Sequence, residues 1–339
     1  MRLTTLKVEK DAHDDAIWCA SWIGDSAVVG DGQVDTGLSG LVTGSVDESC
    51  KQWTFDRGQQ TLNVEQNLTN HDLGVISLGV DPSHEIVATT ALDCCVRMWN
   101  MKTEENTYVT LEGPEAWSLA FNPLADSQQL AVAAGSKGGV TLYTTRNLGD
   151  DTLNRQVAHM KGPSGLNEGG VSAPKGASQA TPFAMGVAYD PRGVKLAVSH
   201  SDGQVVLYDV ETQKEIRTYV GHSKAVRSLC FSSDEQLLIT ASDDGTSNLY
   251  EMMNKNPISN LTGHEGSVLS VAGSRGGKHC VTGSADGKVK VWELRTTTCL
   301  QTLSEHQGGA VWDVAMHPTR NLVTSVGDDG CVVVYSAAD

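Results

Sequence analysis

The feature that most constrains this chain is a unit of roughly 42 residues that recurs along its whole length. Each copy closes on an aromatic residue, and these residues are Trp53, Trp99, Tyr143, Tyr208, Tyr250, Trp292 and Tyr335. Successive intervals are 46, 44, 65, 42, 42 and 43 residues, and an Asp precedes the aromatic by six residues in six of the seven copies. Such a period indicates a repeat architecture in which each copy is one supersecondary unit.

The sixth copy, residues 263–292, shows what one unit forms. Its segments 267–272, 278–283 and 288–292 have partial apolar alternation and are separated by glycine-containing breaks. This pattern is typical of short antiparallel strands joined by tight turns. Hardly any helical periodicity occurs elsewhere, so the repeat predicts an all-β protein.

Two insertions interrupt the regular period. The long interval of 65 residues contains residues 160–182, which are rich in Gly, Ser, Ala and Pro and follow an expected outer strand at 153–159. This composition predicts a flexible surface loop. In the first copy, 34 residues separate His13 from Asp47, where the second, fifth and sixth copies have 22 between the corresponding residues. An insertion of about a dozen residues is therefore expected between Gly24 and Gly40.

Composition and charge exclude several classes of function. The formal net charge of −16 repels phosphate backbones, and the 25 Lys and Arg residues are dispersed, so direct nucleic-acid binding is disfavoured and basic partners are favoured. No apolar run approaches the roughly 18 residues of a membrane helix. The eight cysteines lack metal-ligand spacing, which predicts free thiols in a reducing compartment.

Histidine, serine and aspartate recur together, and the same residue types form hydrolase triads. One such set is His222, Ser242 and Asp244. An enzyme needs one site rather than several copies along one chain, so we predict a structural role and no catalytic residue. The ten histidines show no HxH or HExxH spacing, so neither a metal site nor a cofactor is expected.

The period, the Gly-His opening and the aromatic after an Asp turn together resemble the WD40 repeat family. The resemblance implies that each copy is a four-stranded antiparallel blade and that seven blades close into one β-propeller domain covering residues 1–339. Only four residues follow Tyr335, so the last copy lacks a fourth strand. The usual ring closure of the family implies that residues 3–8 supply it and remove two exposed sheet edges.

The resemblance also implies a bracing network in each blade, formed by the His, the Ser two residues before the Asp, the Asp and the closing aromatic. The third and fourth copies lack the histidine and this serine, so they are expected to be the least braced. The residues given this structural role are His13, Asp47, Trp53, His71, Asp93, Trp99, His222, Ser242, Asp244, His264, Ser284, Asp286, Trp292, His306 and Asp329.

In WD40 propellers, the residue five after the His faces the rim of the central channel. The corresponding residues here are Trp18, Ile76, Trp117, Met185, Arg227, Leu269 and, allowing one extra residue, Trp312. Three tryptophans converging on one mouth would form an apolar patch that marks a binding site, unless they pack into the channel wall as core. The acidic residues expected around them are Asp15, Glu115, Asp243 and Asp328. Aromatics bordered by carboxylates would suit a peptide carrying an Arg and a large apolar residue.

At finer grain, residues 12–22, 115–123, 226–245, 288–303 and 323–330 resemble the WD-repeat subunits of superkiller (SKI) complexes. This resemblance implies a non-catalytic scaffold that assembles with a tetratricopeptide-repeat scaffold and a DExH RNA helicase, to feed RNA to the cytoplasmic exosome. In animals such subunits also join the RNA polymerase-associated factor complex, which implies both cytoplasm and nucleus. On its own, the chain is expected to be a monomer. Two alternatives remain open: another WD40 adaptor, such as a G-protein β-like signalling scaffold or a chromatin or transcription-complex subunit, and an enzyme or small-molecule binder that uses the channel.

Overall fold

The computed structural model describes residues 1–24, 37–101, 116–136, 138–145, 156–162 and 182–338, together with the backbone of 106–110. The insertion predicted after Gly24 and most of the loop predicted at 160–182 lie outside these residues. Within the described ranges, no helix is long and apolar enough to cross a membrane.

Seven four-stranded antiparallel sheets make up the described structure. Blade 1 contains β2 (Ile17–Ile23), β3 (Leu38–Ser45), β4 (Cys50–Asp56) and β5 (Thr61–Leu68). Blade 2 contains β6 (Val75–Val80), β7 (Ile86–Ala91), β8 (Cys95–Asn100) and β9 (Asn106–Thr110). Blade 3 contains β10 (Leu119–Phe121), β11 (Gln129–Ala133), β12 (Val140–Thr144) and β13 (Gln156–Met160). Blade 4 contains β14 (Ala184–Tyr189), β15 (Lys195–His200), β16 (Val205–Asp209) and β17 (Glu215–Tyr219).

The remaining three blades follow the same order. Blade 5 contains β18 (Val226–Phe231), β19 (Leu237–Ser242), β20 (Thr246–Glu251) and β21 (Ser259–Thr262). Blade 6 contains β22 (Val268–Gly273), β23 (His279–Ser284), β24 (Val289–Glu293) and β25 (Thr298–Leu303). Blade 7 contains β26 (Val311–Met316), β27 (Leu322–Gly327), β28 (Val332–Ala338) and β1 (Arg2–Glu9). One short 3₁₀ helix, Ala125–Ser127, is the only helix among the described residues.

The blades form a closed ring around a central channel. The first strand of each blade is the inner strand, and each inner strand contacts the inner strand of the next blade; β26 contacts β2 to complete the circle. The predicted all-β, seven-bladed propeller is therefore confirmed. The three segments predicted in the sixth copy differ from β22, β23 and β24 by one residue at each end.

The N-terminal strand closes the last blade, as predicted. β1 pairs antiparallel with β28, from Arg2 opposite Ala338 to Glu9 opposite Val332. The strand is also fixed from the neighbouring blade, because the Gln301 amide accepts from the Leu3 N–H at 2.8 Å and donates to the Leu3 carbonyl at 2.9 Å. This pairing covers the backbone groups of β28 that would otherwise form an open edge.

The hydrophobic core is divided among the seven junctions between neighbouring blades. Each junction holds one cluster of buried side chains; at the junction of blades 7 and 1, for example, Trp22 and Trp53 pack with Val326 and Val334. A single blade cannot bury both of its faces, so the apolar alternation of every strand is satisfied only in the ring.

A β-bulge recurs near the start of six inner strands. The register against the second strand skips one residue in blades 1, 2, 4, 5, 6 and 7, and the skipped residues are Trp18, Ile76, Met185, Arg227, Leu269 and Trp312. A bulge redirects the side chain of the extra residue relative to its neighbours. The bulges thus set these six residues apart from the strand alternation at one end of the channel.

Candidate binding site at the mouth of the central channel

The seven residues expected at the rim are brought together around one cavity. Side chains from all seven blades line a space of about 290 Å³ at the mouth of the channel. Six of them occupy the bulge positions, and Trp117 lies two residues before β10. The geometry therefore assembles the predicted set, while its role in binding a partner stays a prediction.

The three rim tryptophans are half-buried, so they are neither free on the surface nor part of a closed core. Trp18 and Trp312 are adjacent in the ring, with ring centroids 5.7 Å apart and planes inclined by 54°. Trp117 packs edge-on against Phe183, also at 5.7 Å. These contacts fix the indoles while leaving part of each surface in the cavity, as the predicted aromatic binding site requires.

The two indole N–H groups on opposite sides of the mouth differ in their partners. Trp312 Nε1 donates to the Asp328 carboxylate. Trp117 Nε1 is buried and has no hydrogen-bond partner in the described structure. A buried N–H without a partner costs free energy, so the Trp117 indole is held in place by packing and not by a hydrogen bond.

The predicted acidic border is only partly available to a ligand. Asp243 forms a bidentate ion pair with Arg227, with Arg227 Nε 3.0 and 2.9 Å from the two carboxylate oxygens, so it is not a vacant acceptor for the Arg of a partner. Asp15 and Asp328 are exposed. Glu115 lies outside the described residues. A guanidinium entering the mouth would therefore meet Asp15 and Asp328 rather than Asp243.

A second ring of polar groups lines the wall just below the rim, and sequence reasoning missed it. Each member follows a rim residue and accepts a backbone N–H from the next blade: these residues are Ser77, Ser118, Ser228, Ser270 and Asp313. The signal was present in the sequence, since a small hydroxyl residue follows the rim position in four copies. Cys19 and Gly186 occupy this position in the first and fourth copies.

Asp313 is the charged member of this ring and joins three blades. Its carboxylate accepts from the Ala20 N–H of blade 1 at 3.0 Å and from the Ser270 hydroxyl of blade 6 at 2.6 Å. Burial raises the pKa of Asp313 to about 6, and these hydrogen bonds only partly oppose that shift. The channel wall therefore contains an aspartate that titrates near neutral pH.

The blades are braced by a chain of hydrogen bonds, which blade 6 illustrates. Asp286 Oδ2 lies 2.9 Å from His264 Nδ1, and His264 Nε2 lies 2.8 Å from Thr282 Oγ1. The Trp292 indole donates to the same Thr282 oxygen at 2.8 Å. Because an ionised carboxylate only accepts, Nδ1 carries the proton, and the Thr282 hydroxyl donates to Nε2 while accepting from the indole. We call this series of four hydrogen-bonded side chains the brace.

The predicted place of the serine in the brace was wrong. Ser284 Oγ accepts the backbone N–H of Asp286 at 3.1 Å, and Ser242 does the same for Asp244 at 3.2 Å, so the serine stabilises the turn. The link between the histidine and the aromatic is instead a hydroxyl four residues before the Asp. The five copies with the histidine have Thr43, Thr89, Thr240, Thr282 and Ser325 there.

Individual blades vary this scheme. In blade 2, Arg97 Nη1 lies 2.5 Å from Asp93 and 2.6 Å from His71 Nδ1, so the guanidinium enters the brace. In blade 5, the Tyr250 hydroxyl accepts from the side-chain amide of Asn248 at 3.2 Å. In blade 4, the side chain of Asp202 accepts the Gln204 N–H of its own turn, which agrees with the weaker bracing predicted for that copy.

A comparison of the sequence with known protein families matches the copies that have the histidine and leaves the third and fourth copies unmatched. The family model described as "WD domain, G-beta repeat" matches residues 3–54, 62–100, 213–251, 255–293 and 297–336. These segments make up more than half of the chain. The chain belongs to the WD40 repeat family. The five matched segments contain the blades with a His–Asp brace, and the unmatched stretch contains the third and fourth copies, which lack it.

The sequence of this chain is similar to those of several curated WD-repeat proteins, three of which are described below. It is 33% identical over 236 residues to WD repeat-containing protein VIP3 of Arabidopsis thaliana, covering 68% of this chain and 65% of that protein. It is 31% identical over 242 residues to WD repeat-containing protein SL1-17 of Schistosoma mansoni, covering 71% and 68%. It is 30% identical over 92 residues to Superkiller complex protein 8 of Dictyostelium discoideum, covering 27% and 26%. The alignment with VIP3 thus spans slightly less than two thirds of that protein.

The protonation states of the WD40 brace follow from burial and pairing. Burial lowers the pKa of His222 and His264, and the Asp beside each histidine only partly opposes this. Burial and the Arg97 charge lower the pKa of His71 to about 4. Burial alone would raise the pKa of Asp286, but the hydrogen bonds that it accepts outweigh burial and lower it. These histidines are therefore neutral and Asp286 is ionised at neutral pH.

The brace contains the Asp–His–hydroxyl order of a hydrolase triad, but its geometry does not suit catalysis. Thr282 is fully buried and its oxygen already accepts the Trp292 indole N–H. A nucleophile must reach its substrate, and this hydroxyl is enclosed within the blade. Within the described ranges, no three His, Cys, Asp or Glu side chains lie close enough together to hold a metal ion. WD40 propellers are generally non-catalytic scaffolds that bind other proteins.

Proposed function

We propose that this chain is the WD40 scaffold subunit of a SKI-like complex that supports exosome-mediated 3′–5′ mRNA decay. Its partners would be a tetratricopeptide-repeat scaffold and a DExH RNA helicase, and in animals the RNA polymerase-associated factor complex as well. The expected locations are the cytoplasm and the nucleus. The observation that supports a binding role most strongly is the convergence of Trp18, Trp117 and Trp312 on one cavity.

The mouth suits a short protein segment with one large apolar side chain. Half-buried aromatics held by their neighbours offer apolar area with little loss of conformational entropy on binding. An Arg in that segment would approach Asp15 and Asp328, which are the exposed carboxylates of the border.

The choice of a SKI-like complex rests on two lines of support of unequal strength. The particular sequence stretches at residues 12–22, 115–123 and 323–330 resemble SKI subunits. The similarity to the Dictyostelium superkiller protein covers only 27% of this chain. The acidic surface, with a net charge of −16, supports binding to proteins rather than directly to RNA.

Affinity purification of the tagged chain followed by mass spectrometry tests this proposal. We expect the tetratricopeptide-repeat scaffold and the DExH helicase to be recovered together. A double variant, Trp117→Ala with Trp312→Ala, should recover less of both, because two of the aromatic anchors are lost. Recovery of neither protein by the unmodified chain would contradict the proposal, and recovery of signalling or chromatin subunits instead would favour another type of WD40 adaptor.

A further inference from the structure

A second cavity lies at the opposite end of the propeller from the tryptophans. The mouth residues stand at the beginning of the inner strands, whereas this cavity lies beside the turns that follow β22 and β26, where those strands end. Its volume is about 470 Å³, and it is lined mainly by residues 274–279 of blade 6 and 316–322 of blade 7. This volume is within the range of roughly 300–1,000 Å³ for sites that bind small ligands.

The lining of this cavity is basic in a strongly acidic protein. Arg275, Lys278 and Arg320 line it together with His279 and His317, and none of the described lining residues is an Asp or Glu. The chain as a whole has a net charge of −16. The basic side chains around this cavity therefore form a local positive patch on a protein whose net charge is negative. We call this space the basic cavity.

The turns of blades 6 and 7 use neutral acceptors, as the turn of blade 5 does with the Ser232 hydroxyl, whereas blades 2 and 4 use a carboxylate. In blades 2 and 4, Asp81 and Asp190 accept backbone N–H groups of the turn, each with two bonds of 2.7 to 2.9 Å. In blade 6 the Ser274 hydroxyl accepts the corresponding N–H at 3.1 Å. In blade 7 His317 Nδ1 accepts two N–H groups, at 3.0 and 3.1 Å. Neutral acceptors thus stabilise the turn in the two blades beside the cavity.

The arginine of blade 6 is held across the junction between the two blades. Arg275 Nη1 donates to the Thr319 carbonyl in the turn of blade 7. This contact brings a guanidinium of blade 6 to the turn that carries Arg320, although like charges repel. Guanidinium groups present several N–H donors in a planar fork that matches phosphate oxygens, and an ammonium adds a further charged donor.

We propose that the basic cavity binds a phosphate group carried by a compact ligand. Arg275 and Lys278, both exposed, and the half-buried Arg320 supply three cationic donors around a concave site. The acidic remainder of the surface repels long polyanions, which disfavours a nucleic-acid backbone and favours an anion that fits within the cavity. This site is independent of the proposed role of the tryptophans.

Isothermal titration calorimetry of the full chain with pyrophosphate tests this site. We expect Lys278→Ala and Arg275→Ala to weaken binding about tenfold or more each, since each removes a charged donor. The matched control is Arg57→Ala in the turn between β4 and β5 of blade 1. It removes the same charge from an exposed arginine that does not line the cavity, and should change the affinity by less than about twofold.

Lys278 has an exposed side chain, so Lys278→Ala keeps the test valid if removal of the Arg275–Thr319 contact disturbs the turn. No binding of pyrophosphate or inorganic phosphate, or equal loss in all three variants, would overturn the proposal. A phosphoserine peptide and its unphosphorylated form distinguish the source of the phosphate. Binding of the phosphopeptide about tenfold tighter than inorganic phosphate would indicate a modified protein segment. Equal affinity would indicate a free phosphate compound.

Discussion

At the scale of single residues, one hydroxyl group connects the histidine and the tryptophan in each complete brace. In blade 6, Thr282 Oγ1 serves both His264 and Trp292, whose side chains are almost wholly buried. Removing this oxygen would leave two buried polar groups without a partner. Such a loss costs more than the bond contributes, because neither group can turn to water.

We predict that Thr282→Val lowers the free energy of unfolding by about 2 kcal/mol, because valine keeps the shape and removes the hydroxyl. The matched control is Thr90→Val in blade 2. Thr90 is equally buried, and its hydroxyl has no partner in the described structure. The same substitution there should be neutral or slightly stabilising. Chemical denaturation of both variants measures the difference, and equal destabilisation would show that the hydroxyl has no special role.

The hydroxyl residue of the brace could have been predicted from the sequence. The direction in which the rim side chains point could not. A Thr or Ser stands four residues before the Asp in the five copies with the histidine, whereas Val198 stands there in the fourth copy. The bulges at Trp18 and the equivalent residues depend on the pairing of two strands. Local sequence does not determine that register.

At the scale of strands and blades, the ring depends on hydrogen bonds between inner strands as well as on apolar packing. Asp313 spans the junction at which the last blade meets the first, by accepting from Ala20 across the ring. Four serines make the equivalent bond at other junctions with a neutral hydroxyl. The junction closed by Asp313 is therefore the one at which such a bond depends on pH.

We predict that Asp313 makes stability fall as pH rises through about 6. The native carboxyl has a pKa of about 6, against an ordinary value of 3.8. The native state therefore keeps a proton that the unfolded chain releases between these values. The stabilising contribution is present below pH 4 and lost above pH 6. The neutral histidines of the brace have the opposite effect on stability. The native pKa of His71 is about 4, against an ordinary value of 6.5, so its contribution to stability is lost as the pH falls from 6.5 to about 4.

A comparison with Asp313→Asn separates the two effects, because the variant retains every histidine. Relative to this variant, the unmodified chain should lose about 2 kcal/mol of stability between pH 4 and pH 7. Unfolding free energies measured across this range test the prediction. A difference between the two chains that does not change with pH would contradict it.

The order of strands was largely predictable, because the repeat period and the alternation within each copy define where strands begin and end. β1 was also predicted, and the structure extends it by one residue at each end, to Arg2–Glu9. The expected outer strand at 153–159 agrees with β13 (Gln156–Met160) over residues 156–159, and β13 ends one residue later. The start of that prediction, residues 153–155, lies outside the described structure.

At the scale of the whole molecule, the propeller has a candidate site at each end of its channel. One end carries the tryptophan mouth with Asp15 and Asp328, and the other carries the basic cavity between blades 6 and 7. The mouth was predicted because family repeats place one defined residue at the rim. The pairing of Asp243 with Arg227 and the basic cavity were not predicted, because each depends on contacts between residues far apart in the chain.

The most direct test of the account is the affinity of the purified chain for a purified tetratricopeptide-repeat scaffold of a SKI-like complex, measured by calorimetry. We expect Trp117→Ala with Trp312→Ala to weaken binding at least about tenfold with a nearly unchanged melting temperature. Met253→Ala, which removes an apolar side chain 77% exposed in the turn between β20 and β21, is the control and should bind normally. Unchanged affinity in the double variant, or loss of affinity only through unfolding, would contradict the claim that the mouth binds the partner.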